Sequence, residues 1–159
     1  MKKYQYNLIM IDDENGIDVV GNYLAQLNEE SKYSTEAKLH LMFIQSAFNL
    51  LSVQPSEKLT DEYMELSITL NDEVRTKRYE LIKPLRVSPI HELRYAMNGN
   101  EHLRFLFFPF EFKGQLNYIF VKAFMKTRVP RVDETNIMRD LTHKMYERVK
   151  LNPEDYLSD

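Results

Sequence analysis

Positive side chains set along strands are the residues of this 159-residue chain whose types and spacing could do chemistry. Arg94, Arg104 and Lys122 each fall in a run that reads as a β-strand, and Lys126, Arg128 and Arg131 follow the last of these runs. Strand side chains alternate between faces. Arg104 is therefore expected beside His102, Leu106 and Phe108, and Lys122 beside Tyr118, Phe120 and Phe124. A cation buried unpaired beneath helices is costly, so the cheaper arrangement gathers Arg94, Arg104 and Lys122 on the open face of the sheet. Cations converging beside aromatic rings, here Tyr95 and Tyr118, make a surface that grips phosphates and stacks bases. Single-stranded RNA is the natural ligand of such a surface, with Lys83, Arg128 and Arg131 extending the backbone contacts. The competing reading pairs Arg94 and Arg104 with Glu92, Glu101 or Glu111, as cross-strand ion pairs commonly do.

Charge is distributed unevenly enough to favour a polyanion partner. Residues 1–74 hold five lysines, no arginine and thirteen acids, a net of -8, whereas residues 75–150 carry +8 and the last nine residues -3. Such asymmetry is a recognised hint of nucleic-acid binding, although acidic helices neutralising a basic sheet inside one fold would produce it too. Other chemistries find little support. There is no glycine-rich phosphate loop, no HExxH and no nucleophile elbow. His40, His91, His102 and His143 lack metal-ligand spacing, and His40 and His143 read as surface or boundary residues. No metal and no cofactor is expected. The absence of cysteine excludes a disulfide framework and a thiolate zinc site. Gln5, Asn7 and Asp12 interrupt any secretory segment, and no run reaches the roughly 18 apolar residues that span a bilayer. A soluble, cytoplasmic protein without membrane contact is the expectation.

The elements that must position these cations can be read from periodicity. Tyr4–Ile11 reads as a first strand, after which Asp12-Asp13-Glu14 offer acidic groups to a helix N-terminus. Ile17, Val20, Leu24 and Leu27 recur at helical spacing. Ser34 then caps a second helix with a buried stripe at Ala37, Leu41, Ile44, Phe48 and Leu51. Residues 55–80 fit neither a helix nor a strand clearly. Beyond Pro84 and Pro89 the signal sharpens into three strands, 90–97, 101–112 and 115–124, separated by Asn98-Gly99 and Lys113-Gly114 turns. Asp133 caps a last helix whose apolar face is Ile137, Leu141, Met145 and Val149. The reading is α+β: one domain over residues 1–150, an antiparallel β-meander packed against an N-terminal helical hairpin, with a C-terminal helix, and a loose acidic tail at 151–159.

At these residues the chain resembles the RelE superfamily of toxins, and within it the HigB-type, phage-related branch. The matching set is Lys83-Pro84-Leu85, Ile90-His91-Glu92-Leu93-Arg94, Leu103-Arg104-Phe105-Leu106-Phe107-Phe108, Ala123-Phe124-Met125-Lys126-Thr127 and then Pro130 before a helix. The resemblance implies the toxin of a type II toxin–antitoxin pair, a metal-independent endoribonuclease that cuts mRNA, typically on the ribosome. A cognate antitoxin, often with a helix-turn-helix domain, would neutralise it. In that reading Arg104 and Arg94 stabilise charge developing on the phosphate, and Lys126 and Lys122 hold the backbone or assist proton transfer. His91, His102 and Tyr95 are secondary acid–base candidates. Two alternatives stay open: a catalytically inactive RNA- or protein-binding module on the same scaffold, and a toxin acting on a protein such as a topoisomerase.

Overall fold

The computed structural model describes residues 5–53, 63–80, 82–84, 88–98, 101–126 and 134–157. Strand β1 (Asn7–Met10) leads to helices α1 (Val19–Glu30) and α2 (Thr35–Leu51). A ribbon of β2 (Tyr63–Leu70) and β3 (Glu73–Glu80) follows, then β4 (Ile82–Pro84), β5 (His91–Asn98), β6 (Glu101–Phe112), β7 (Gln115–Lys126) and helix α3 (Glu134–Leu151). The main sheet runs β1-β7-β6-β5-β4, with β1 parallel to β7 and the remaining pairs antiparallel. The chain is thus α+β, as its periodicity predicts.

Local chemistry explains the element ends. Asp18, not the earlier acidic run, caps α1: its Oδ1 accepts the Gly21 amide at 2.9 Å. Glycine suits position 21 because a Cβ there would run into the Asp18 carboxylate. Ser34 Oγ accepts the Ala37 amide at 3.1 Å, as its position ahead of α2 predicts. Lys113 and Gly114 both take positive φ, 51° and 76°, which closes the β6–β7 hairpin without splaying its strands. The expected Asn98-Gly99 turn lies partly outside the described residues, but β5 and β6 pair antiparallel across it up to Asn98 and Glu101. The ambiguous stretch resolves in part into the β2–β3 ribbon, reversed at Asn71 and Asp72 with φ of 52° and 62°.

Helices cover both faces of the sheet. The α1–α2 hairpin packs one face through Val20, Leu27, Phe43, Ile44 and Phe48 against Leu93, Tyr95, Phe105, Phe107, Tyr118 and Phe120. On the other face, Met145 and Val149 of α3 pack with Ile90, Phe108, Ile119 and Val121. Leu157 is buried in the same cluster, so the tail expected to be loose is, as far as Leu157, folded back against α3 through a 3-10 turn at Pro153–Asp155. Ile137, expected on the buried face of α3, is instead exposed.

His40, read as a boundary residue, is buried, and its Nδ1 lies 2.8 Å from the Tyr95 hydroxyl. Removing a buried hydrogen-bond partner costs about 1–3 kcal/mol. Tyr95→Phe should therefore lower the urea-unfolding free energy by that amount, leaving the far-ultraviolet circular dichroism unchanged.

Candidate functional site

Cross-strand register brings the predicted cations to one face. Arg94 of β5 lies directly opposite Arg104 of β6, and Leu106, one step along the same face, lies between Glu92 of β5 and Lys122 of β7. His102 faces Lys126 one step in the other direction. The rows are two residues, or about 7 Å, apart.

Strict alternation would not have put Lys122 there. It would have grouped Lys122 with Tyr118 and Phe120, both of which pack under the α1–α2 hairpin. The β6–β7 register shifts between Leu106 and Phe107: Phe107 opposes Phe120 and Leu106 opposes Lys122, leaving Val121 as the extra residue of a bulge. One inserted residue reverses every side chain beyond it. Tyr118 and Phe120 thus point to the helical hairpin while Lys122 joins Arg104 on the opposite face.

Each of the three cations is matched by carboxylates. Arginines directly opposite one another repel, and Glu92 resolves the conflict: its Oε1 accepts from Arg94 Nε at 2.7 Å and from Arg104 Nη1 at 2.6 Å. Lys122 Nζ donates to Asp13 Oδ2 at 2.7 Å and to Glu14 Oε1 at 2.9 Å. Asp13 is held in turn by its own loop, because its Oδ1 accepts the amides of Asn15 and Ile17 at 2.9 and 3.1 Å. The acidic run after β1 therefore serves a lysine 109 residues away rather than a helix N-terminus. Burial pushes the Asp13 carboxyl up, but the Lys122 hydrogen bond and the two amides outweigh it and hold its pKa below the usual value.

The open, basic surface expected from the sequence is corrected on three points. First, Arg104, Lys122 and Glu92 are buried, Arg94 is half-buried, and α3 covers the neighbouring part of this face. Second, Tyr95 and Tyr118 are not base-stacking residues. Both are 0% exposed, Tyr95 against His40 and Tyr118 stacked on Tyr6 with centroids 4.1 Å apart. Third, His91 lies on the hairpin side, opposite and stacked on Phe107, with Nδ1 2.8 Å from the Pro89 carbonyl oxygen. Burial lowers its pKa against the effect of that hydrogen bond, so it is neutral near pH 7. Lys126 is exposed at the end of β7. Lys83 lies in β4 opposite Glu92, but its side chain is outside the described residues, as are Arg128 and Arg131.

Among the described residues, no group of three or more His, Asp or Glu side chains is arranged to hold a metal ion. None of their helices is long and apolar enough to cross a membrane. No family model, curated protein or solved structure matches the chain.

Proposed function

We propose that this chain is the toxin of a type II toxin–antitoxin pair and cuts mRNA in the cytoplasm without a metal, ribosome-bound message being one substrate to test. One observation carries the reading: two guanidinium groups from facing strands converge on one oxygen of Glu92, with His102 and Lys126 facing each other one step along the same surface. The ordered Glu-Leu-Arg, Leu-Arg-Phe and Phe-Met-Lys-Thr segments supply these residues.

In this mechanism a ribose 2′-hydroxyl attacks the adjacent phosphate and expels the 5′-oxygen of the next nucleotide, leaving a 2′,3′-cyclic phosphate. Arg94 and Arg104, positioned before the substrate arrives, stabilise the negative charge gathering on the phosphoryl oxygens. Glu92 fixes their geometry. Lys126 would contact the backbone, and His102, in the row beside the arginines, would carry the proton. Lys122 is a structural cation, since Asp13 and Glu14 occupy it. An antitoxin with a helix-turn-helix domain would act as the neutralising partner.

The charge balance favours a second reading. Arg94, Arg104 and Lys122 are matched by Glu92, Asp13 and Glu14, which suits a RelE-like module that binds RNA or protein without cutting.

Controlled expression with mapping of RNA ends separates the two. Wild type should arrest growth and generate new 2′,3′-cyclic phosphate ends. Arg104→Ala, and the more exposed Arg94→Ala and Lys126→Ala, should each reduce those ends by about a hundredfold or more. Normal growth with intact message on strong expression would reject cleavage and favour the binding module.

A further inference from the structure

A second site lies at the far end of the sheet, eight residues along β6 from Arg104, or about 27 Å by strand rise. There a cavity of about 180 Å³ is lined by Asn7, Ile9, Phe112, Lys113, Gln115, Asn117 and Leu157. Among the described residues that line it there is no carboxylate, and the charged one is Lys113, whose ammonium lies 5.2 Å from the centre of the Phe112 ring. The size suits a single base-sized ring system rather than a larger ligand.

The carboxamides have a fixed polarity. Asn117 is buried and its Nδ2 donates to the carbonyl oxygens of Phe110 and Gln115, at 3.0 and 3.3 Å. Carbonyls only accept, so the amide cannot be reversed and Asn117 Oδ1 must face Asn7. Asn7 answers with Nδ2, which donates to Asn117 Oδ1 at 3.4 Å and to Gln115 Oε1 at 2.6 Å. The chain of donors leaves Asn7 Oδ1 and Gln115 Nε2 without partners among the described residues. The site thus presents one acceptor and one donor, beside an aromatic ring and a cation.

We infer that this cavity binds an adenine-type nucleotide. The base would offer its exocyclic amine to Asn7 Oδ1 and a ring nitrogen to Gln115 Nε2, the complement that carboxamides read on adenine. Phe112, Ile9 and Leu157 supply the apolar wall, and Lys113 takes the phosphate. A sugar phosphate alone satisfies only the lysine, and hypoxanthine, with a carbonyl in place of the amine, sets acceptor against acceptor at Asn7. The nucleotide is either free or the 5′-phosphorylated end of an RNA strand. The site does not depend on the ribonuclease reading.

Titration of the intact chain by nuclear magnetic resonance tests this with adenosine 5′-monophosphate, inosine 5′-monophosphate, ribose 5-phosphate, and 5′-phosphorylated tetra-adenylate. Adenosine monophosphate should saturate, shifting the resonances of Asn7, Gln115 and Lys113. Inosine monophosphate and ribose phosphate should bind at least about tenfold more weakly. Gln115→Ala and Asn7→Ala alter exposed side chains, so the fold should survive, and each should remove the preference for adenine. Tighter binding of the tetranucleotide identifies a strand end as the ligand, and equal or weaker binding identifies the free nucleotide. No saturable binding of adenosine monophosphate, equal affinity for ribose phosphate, or a preference that persists in both variants would overturn the inference.

Discussion

Asp13→Asn is expected to destabilise the protein by about 3–5 kcal/mol at pH 7, because it removes one partner of a buried ion pair and leaves Lys122 under-compensated. The whole stability of a domain is only about 5–15 kcal/mol, so the variant should unfold at markedly lower urea concentration. Glu14 remains on Lys122 and limits the loss. The pH dependence follows from the direction of the Asp13 shift. Its folded pKa lies below the unfolded value of roughly 3.9. The stabilisation is therefore fully present above that unfolded value and is lost as pH falls through the folded one. The gap between wild type and Asp13→Asn should be wide at pH 7 and close as Asp13 becomes protonated. Urea unfolding at several pH values measures it, and a gap that stays constant down to acid pH would mean that Asp13 contributes nothing through its charge.

Glu92→Gln should move binding and cleavage in opposite directions. The substitution keeps an acceptor between the two arginines but removes a negative charge from a cluster whose described ion pairs join Arg94, Arg104 and Lys122 to Glu92, Asp13 and Glu14. RNA affinity should rise, and its salt dependence should steepen by about 0.7 in log–log slope for each additional phosphate neutralised. Cleavage should nonetheless fall by about a hundredfold, the effect of guanidiniums displaced by an ångström or so. If cleavage were untouched while affinity rose, Glu92 would be a mere counter-ion. If affinity fell, phosphate would not be entering beside Arg94 and Arg104. Circular dichroism on the same samples separates either result from unfolding.

The meander is legible because its signals are local. The Phe- and Leu-rich run at 101–112 and the Lys113-Gly114 turn define the β6–β7 hairpin without reference to distant residues, and Ser34 announces α2 in the same way. The β2–β3 ribbon is harder to read, since its reversal at Asn71-Asp72 uses two residues that tolerate positive φ but lack the glycine that usually marks such a turn. The site is legible only in part. Arg94 and Arg104 face each other only because the β5–β6 register shifts between Ala96 and Asn98, which alternation does not reveal, whereas the competing pairing with Glu92 is visible in the spacing of β5. Lys122 reaches that face for a reason alternation cannot show, the extra residue at Val121. Its partners Asp13 and Glu14 are hidden by a separation of more than a hundred residues. Tyr95 and Tyr118 mislead because a tyrosine suits either a wet aromatic surface or a core with a partner for its hydroxyl, and only the packing of α2 and of Tyr6 decides between them.

The pairing of the first strand with the last has a consequence during synthesis. Among the described residues β1 has no neighbour in the main sheet other than β7, and Asp13 must wait for Lys122, 109 residues downstream. At about 5–20 residues per second of translation, the N-terminal segment spends roughly 5–20 s without its mate while the ribosome completes the rest. The arginine-bearing face therefore forms late, after Lys122 has emerged from the exit tunnel, and a nascent or truncated chain ending before β7 should lack both the sheet edge and the ionic cluster.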